Sequence, residues 1–289
     1  MIPSANSVGP GGSSTAPALD ERRCGGAIVV EGLSRVFVRK GKRGRQIPFV
    51  AIQDVDLRVD DGQFFCLLGP TGCGKSTILR MIAGFVPATR GSITVHGRPV
   101  RRPGADRGVV FQGETSLFPW LTARENVEYG LRVRGVGRVE RRRRAEEYLQ
   151  VVGLAGRKDL FPRELSGGMK QRIQIARVLV NDPEILLMDE PFGALDAQTR
   201  SVLQTELQRI WDATRKTVLF ITHDIEEAVL LGDRVAVMTA GPAARIKAIR
   251  DVTLPRPRSI LAPEFLSLRE QLRQDIEAEA IKAMGQATG

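Results

Sequence analysis

Gly69-Pro70-Thr71-Gly72-Cys73-Gly74-Lys75-Ser76-Thr77 places three glycines in a short loop and follows them with a lysine and two hydroxyls. Glycines let a backbone curl until successive N–H groups point inward, which makes a cradle for phosphate oxygens. A helix opening at Lys75 adds the partial positive charge of its N-terminus. Lys75 then offers a point charge to β- and γ-phosphates, and the Ser76 hydroxyl is a ligand for Mg²⁺. The spacing G-x-x-x-x-G-K-[ST] is specific when a strand precedes it and a helix follows. Here the apolar run Phe64–Leu68 lies before it and a helical pattern over Lys75–Ala83, closed by Gly84, lies after it. Cys73 reads as a small loop filler, and its place predicts that bound ATP shields it from alkylating reagents.

A second cluster completes the chemistry. Ile185-Leu186-Leu187-Met188-Asp189-Glu190 is an apolar strand ending in two carboxylates. In an open α/β sheet such residues arrive at the C-terminal strand edge, where ligands bind. Asp189 is placed to hold Mg²⁺, directly or through water, and Glu190 to polarise an attacking water as general base. Two carboxylates at a strand end would mean little alone; beside a complete phosphate loop they point to nucleotide hydrolysis.

The elements that must position these groups alternate. Ala27–Val38 and Ala51–Val59 read as strands separated by a basic turn at Arg39–Arg45. Ser92–Val95 and Val109–Gln112 are further strand candidates. From about residue 114 to 180 the pattern turns helical and polar, as an inserted subdomain would. Strand Ile185–Met188, helix Ala197–Ala213, strand Thr217–Thr222, helix Ile225–Leu231 and strand Arg234–Met238 follow. Strand–helix alternation predicts an α/β core with a parallel sheet.

Leu165-Ser166-Gly167-Gly168-Met169-Lys170-Gln171-Arg172 stands just upstream of the carboxylate strand. Ser166 is a good helix N-cap, and the glycines permit close backbone approach, so this is a second anion-binding helix start. The stretch resembles the signature of ATP-binding-cassette (ABC) ATPases, and the resemblance extends over roughly residues 28–258. It implies a P-loop NTPase (RecA-like) core with an antiparallel β subdomain and an inserted helical signature subdomain, and ATP and Mg²⁺ as cofactors. Gln112 looks like the residue that senses Mg²⁺ and the attacking water, Asp196 like the D-loop aspartate, and His223 like the switch histidine that meets the γ-phosphate. Phe37 is the expected adenine-stacking aromatic, with Phe49 competing. The resemblance also implies a head-to-tail homodimer, each ATP lying between one phosphate loop and the partner's Ser166, Gly167, Gly168 and Met169. Two integral-membrane permease subunits and an extracytoplasmic solute-binding protein would complete the assembly at the cytoplasmic face of the membrane.

Leu117-Phe118-Pro119-Trp120-Leu121-Thr122, Asp189–Arg200, Thr222–Val229 and Leu254-Pro255-Arg256-Pro257-Arg258 resemble the nitrate/sulfonate/taurine importer branch. In the family the first of these lines a groove for a membrane-subunit helix; the alternative is that Trp120 fills the helical subdomain's core, as Trp211 is expected to fill that of its own helix. Gly113-Glu114-Thr115, Lys170 and the basic insertion after Phe37 depart from the pattern without touching the ATPase residues.

Composition is that of an ordinary globular protein, 42% hydrophobic and 26% charged. No apolar run reaches the ~18–20 residues of a membrane span. Cys24, Cys66 and Cys73 show no metal-ligand spacing, which favours a reducing compartment. The net charge of +10 suits nucleic acid, an anionic membrane or solubility alone. No coiled coil or zinc module is visible, so no nucleic acid is expected. Glu140–Gln150, with four consecutive arginines followed by Glu146 and Glu147, reads as a solvated helix face with Arg–Glu pairs, and His96 as a turn residue. Residues 1–27 are expected to form a disordered tail, 28–255 the nucleotide-binding domain and 256–289 a helical extension.

Overall fold

A computed structural model describes residues 26–40, 44–112, 117–193 and 195–287. Among the described residues, ten strands and seven α-helices run in the order β1 (Ile28–Lys40), β2 (Gln46–Val59), β3 (Phe64–Leu68), α1 (Lys75–Ile82), β4 (Arg90–Val95), β5 (Arg98–Pro99), β6 (Arg107–Val110), α2 (Ala123–Val133), α3 (Arg138–Val151), α4 (Gly167–Leu179), β7 (Ile185–Asp189), α5 (Ala197–Thr214), β8 (Thr217–Thr222), α6 (Ile225–Leu231), β9 (Arg234–Met238), β10 (Ile246–Asp251) and α7 (Pro263–Ala287). They form an antiparallel sheet, β2-β1-β4-β5, and a six-stranded sheet, β10-β9-β3-β8-β7-β6, parallel except at its β10 edge. This is the expected α/β class, a P-loop NTPase core with an added antiparallel sheet.

Every residue of β3, β7 and β8 is buried, as in a parallel sheet covered on both faces. Alternate side chains serve two cores. Phe65, Leu67, Leu187 and Ile221 face Ile78, Leu79 and Ile82 of α1 and the inner side of the antiparallel sheet. Phe64, Cys66, Met188 and Phe220 face Leu203, Leu207 and Trp211 of α5 together with Phe265 and Leu272 of α7. Trp211 is a core residue, edge-on to Phe64. Helices α2, α3 and α4 share a third core. Helix α4 belongs to both neighbours, sending Ile175 and Leu179 to the sheet and Ile173, Ala176 and Val180 to the helices.

Some boundaries differ from the sequence reading for identifiable reasons. The hairpin strands extend into the basic segment, pairing Arg39 with Ile47 and Lys40 with Gln46, because a two-stranded ladder needs backbone partners rather than apolar side chains. Strand β6 stops at Val110, so Phe111 and Gln112 leave the ladder. Ala27 is buried and its carbonyl accepts from His96 N, so the ordered core begins before residue 28; residues 1–25, Cys24 among them, lie outside the described residues, as do Gly113, Glu114, Thr115 and Ala194. His96 occupies a turn with φ 45°. On α3, Glu140 pairs with Arg143 and Arg144, and Arg143 also with Glu147, a solvated face as expected. Among the described residues no helix is long and apolar enough to cross a membrane.

Candidate functional site

The loop between β3 and α1 turns through left-handed backbone. Gly74 has φ +97°, and a Cβ there would sit 2.6 Å from Ile52 Cγ2, so only glycine fits. That turn folds Lys75 back over the loop. Its Nζ, on a side chain only 5% exposed, donates to the carbonyls of Gly69 (2.7 Å) and Pro70 (3.0 Å). Gly72, Thr71 and Pro70 border a cavity, and Ser76 and Thr77 lie in the first turn of α1.

Strand β7 delivers the carboxylates beside this loop. Asp189 is buried, and its Oδ1 accepts from Ser76 Oγ at 2.9 Å. Burial pushes its carboxyl above the usual range. Glu190 takes φ 45°, rare for a residue with a side chain, while its N–H still bonds Ile221 O. Strain of this kind costs about 1–3 kcal/mol and tends to collect at working sites. Its carboxylate becomes a hub: Gln112 Nε2 donates to Oε2 at 3.1 Å, His223 Nδ1 lies 3.1 Å from the same oxygen, and Lys75 Nζ is 4.0 Å from Oε1. Three loops, after β6, β7 and β8, and the start of α1 therefore meet at one carboxylate.

The remaining candidates lie apart from that hub. Asp196 caps α5, its Oδ1 accepting from Thr199 N at 2.9 Å, and this bond holds its carboxyl below the usual range. Ser166 caps α4 through Met169 N. Gly168 packs against the segment that opens α5, with Leu195 and Thr199 within 3.4 Å of where its Cβ would stand. Phe37 is directly opposite Phe49 in the β1–β2 ladder, but it is Phe49 that lines the cavity of about 330 Å³ with Arg39, Pro70, Thr71, Gly72 and Gly241. Arg39 lies 3.5 Å above the Phe49 ring and Arg35 4.5 Å above that of Phe37. Cys73 is already buried without nucleotide, and burial raises its thiol pKa. A larger surface cavity of about 640 Å³, beside Arg209, Arg215 and Arg256, touches none of these residues.

Sequence reasoning missed Asn126. It is fully buried, donates to the carbonyls of Phe118, Leu121 and Thr122, and accepts from Phe118 N. A buried amide in the first turns of α2 thus folds the segment before it and leaves Trp120 69% exposed, with its ring against Phe118. The alternative that Trp120 fills the helical core is excluded by this exposure.

Comparison with known proteins settles what kind of chain carries this geometry. The ABC transporter family model matches residues 52–193. An uncharacterized ABC transporter ATP-binding protein of Methanocaldococcus jannaschii is 48% identical, covering 89% of this chain and 94% of that one. The chain belongs to the ABC transporter family. A nitrate import ATP-binding protein of Synechocystis is 45% identical over 88% of this ABC chain and 98% of its own length. The solved dimeric structure of an ATP-binding cassette bound to ADP and Pi in a post-hydrolysis state superposes with a TM-score of 0.68 at 30% identity, covering 79% of the present chain and all of that one. This ABC protein is accordingly an ATP-binding, ATP-hydrolysing cassette.

Proposed function

We propose that this cassette is the ATPase of an importer for a small oxyanion, nitrate first, with taurine and other sulfonates as the alternatives. The observation that carries the hydrolytic part is the Glu190 hub, because a carboxylate held by Gln112 and His223 beside Lys75 is oriented to accept a proton from water. The identity with the Synechocystis nitrate import protein supports the solute.

In this reading the Gly69–Thr77 loop and Lys75 bind the ATP phosphates. Mg²⁺ suits the oxygen donors that lie together, the Ser76 hydroxyl and Asp189 carboxylate 2.9 Å apart, with Gln112 nearby through Glu190. No group of three His, Cys, Asp or Glu able to hold a metal occurs among the described residues. When bound, Mg²⁺ neutralises charge on the transferring phosphoryl group. Two copies arranged head to tail, each offering Ser166–Met169 and Asp196 to the other's nucleotide, would complete both sites. The exposed Trp120, its ring against the half-buried Phe118, suits an apolar helix of a membrane subunit, and in this reading the cassette works peripherally at the cytoplasmic face. A binding protein outside the membrane would supply the solute.

The test is uptake of labelled nitrate, taurine and an alkanesulfonate by source cells carrying Lys75→Ala. Selective loss of nitrate uptake is expected; unchanged uptake of all three removes the branch assignment.

For adenine, the reading favours Phe49, which lines the cavity beside the phosphate loop, over Phe37. Phe49→Ala should weaken ATP binding about tenfold, since stacking a base on an aromatic ring is worth about 1–3 kcal/mol. Phe37→Ala should change it less than about twofold. Titration calorimetry showing the reverse order would return adenine to Phe37.

A further inference from the structure

Arg200 and Glu227 lie outside the nucleotide machinery described so far, yet they join two of its loops. Arg200 is in the first turn of α5, four residues past the Asp196 cap. Its Nη2 donates to Leu195 O at 3.1 Å, gripping the D-loop backbone. Its Nη1 is 3.7 Å from Asp224 Oδ2 and its Nε 3.9 Å from Glu227 Oε1. Glu227 is 6% exposed. Its Oε2 accepts from Thr222 Oγ1 at 2.7 Å, and its Oε1 from Gln204 Nε2 at 3.2 Å. Thr222 Oγ1 in turn accepts from Asp224 N at 2.9 Å, while Asp224 Oδ1 caps α6 through Glu226 N and Glu227 N. His223 is the residue between these two anchors, so its backbone is pinned on both sides.

We propose that Arg200 and Glu227 are positioning residues that hold the D-loop and the switch-histidine loop in one register, so that neither half of the ATP site moves alone. The inference rests on the roles given to His223 and Asp196 above. A buried carboxylate beside a guanidinium is costly to separate, since either charge left alone loses its compensation. Burial raises the Glu227 carboxyl pKa, with the Thr222 hydroxyl and Arg200 opposing that shift. Arg200 Nε is buried without a hydrogen-bond partner. Closing its 3.9 Å gap by about 1 Å would make a direct bond to Glu227. The same stretch touches the other half-site: Gly168 rests on Leu195 and Thr199, the residues flanking the Arg200 grip. A shift of the signature helix is thereby transmitted within one chain to the histidine that serves its own nucleotide.

The test compares Arg200→Met, Arg200→Lys, Glu227→Gln and the Arg200→Met/Glu227→Gln double variant with wild type in the full-length protein, with His223→Ala as reference. Measured are kcat and KM for MgATP, MgADP affinity and Tm. Arg200→Met and Glu227→Gln should each lower kcat about tenfold with KM and MgADP affinity within about twofold, in line with coupling carried by packed polar networks. Arg200→Lys, keeping the charge but not the fork, should fall between. The double variant should be no slower than the slower single one, because partners in one network are not additive. Wild-type kcat in both single variants overturns the proposal. So do multiplicative losses, or losses of kcat and MgADP affinity together that track Tm, which mark general destabilisation. Should Arg200→Met not fold, Arg200→Lys and Glu227→Gln carry the comparison. An active His223→Ala would defeat the site reading itself, whereas an inactive one beside wild-type Arg200 and Glu227 variants defeats only the bridge.

Discussion

Glu190→Gln should hydrolyse ATP at least about a hundredfold more slowly than wild type, the lower end of what a positioned general base contributes, while still binding MgATP. The amide is nearly isosteric with the carboxylate and keeps an oxygen able to accept from Gln112 Nε2 or His223 Nδ1, both 3.1 Å from Glu190 Oε2. It cannot take a proton from water. It also removes a negative charge 4.0 Å from Lys75, which would otherwise compete with the γ-phosphate for that cation. Binding should therefore be retained or tightened, and the proposed head-to-tail dimer should persist instead of reopening. Phosphate release measures the first effect, and size-exclusion chromatography with and without MgATP the second. Wild-type hydrolysis in this variant would remove Glu190 from the role of base and make its contacts with Gln112 and His223 structural.

What was legible in the sequence is what local chemistry dictates. The phosphate loop needs its glycines, lysine and hydroxyl in one contiguous stretch. Strands such as Phe64–Leu68 and Thr217–Thr222 are bounded apolar runs, and the structure places both at those bounds. Features that depend on register or on distant partners were not legible. Phe37 and Phe49 are equivalent in sequence until the ladder sets them opposite each other and the fold brings only one to the cavity. The burial of Cys73 comes from packing against Ile52 and Met238 across the two sheets, which no loop motif encodes. Strand β10 is an edge strand with mostly exposed residues, so it lacks the apolar run that reveals the inner strands. Helix α7 reads in sequence as a polar helical extension, but its packing of Phe265, Leu268, Leu272 and Ile276 onto the core beside α5 depends on partners far away in the sequence. The bridge from Arg200 to Glu227 spans two elements and a strand. Its parts look like ordinary surface charges until α5 and α6 are packed together.

Lys75→Ala should have the other large effect, and on binding itself. The Lys75 Nζ is nearly enclosed and holds the carbonyls of Gly69 and Pro70, so it both supplies charge and braces the loop whose N–H groups must face phosphate. Its loss leaves two carbonyls without their donor, at about 1–3 kcal/mol each if they stay buried, and deprives the phosphates of a fixed cation. Truncating one partner of a buried, hydrogen-bonded charge pair costs about 2–5 kcal/mol, so MgATP affinity should weaken about a hundredfold, hydrolysis falling with it. Lys75→Arg should not rescue the loop, because a planar fork does not fit the compact point-charge position between two carbonyls. Titration with MgATP and with adenosine separates the two contributions. Loss of MgATP affinity with unchanged adenosine affinity assigns the effect to the phosphates, whereas equal loss of both assigns it to collapse of the loop. Full MgATP affinity with failed hydrolysis would instead confine Lys75 to the transition state, where its 4.0 Å separation from Glu190 would be the relevant contact.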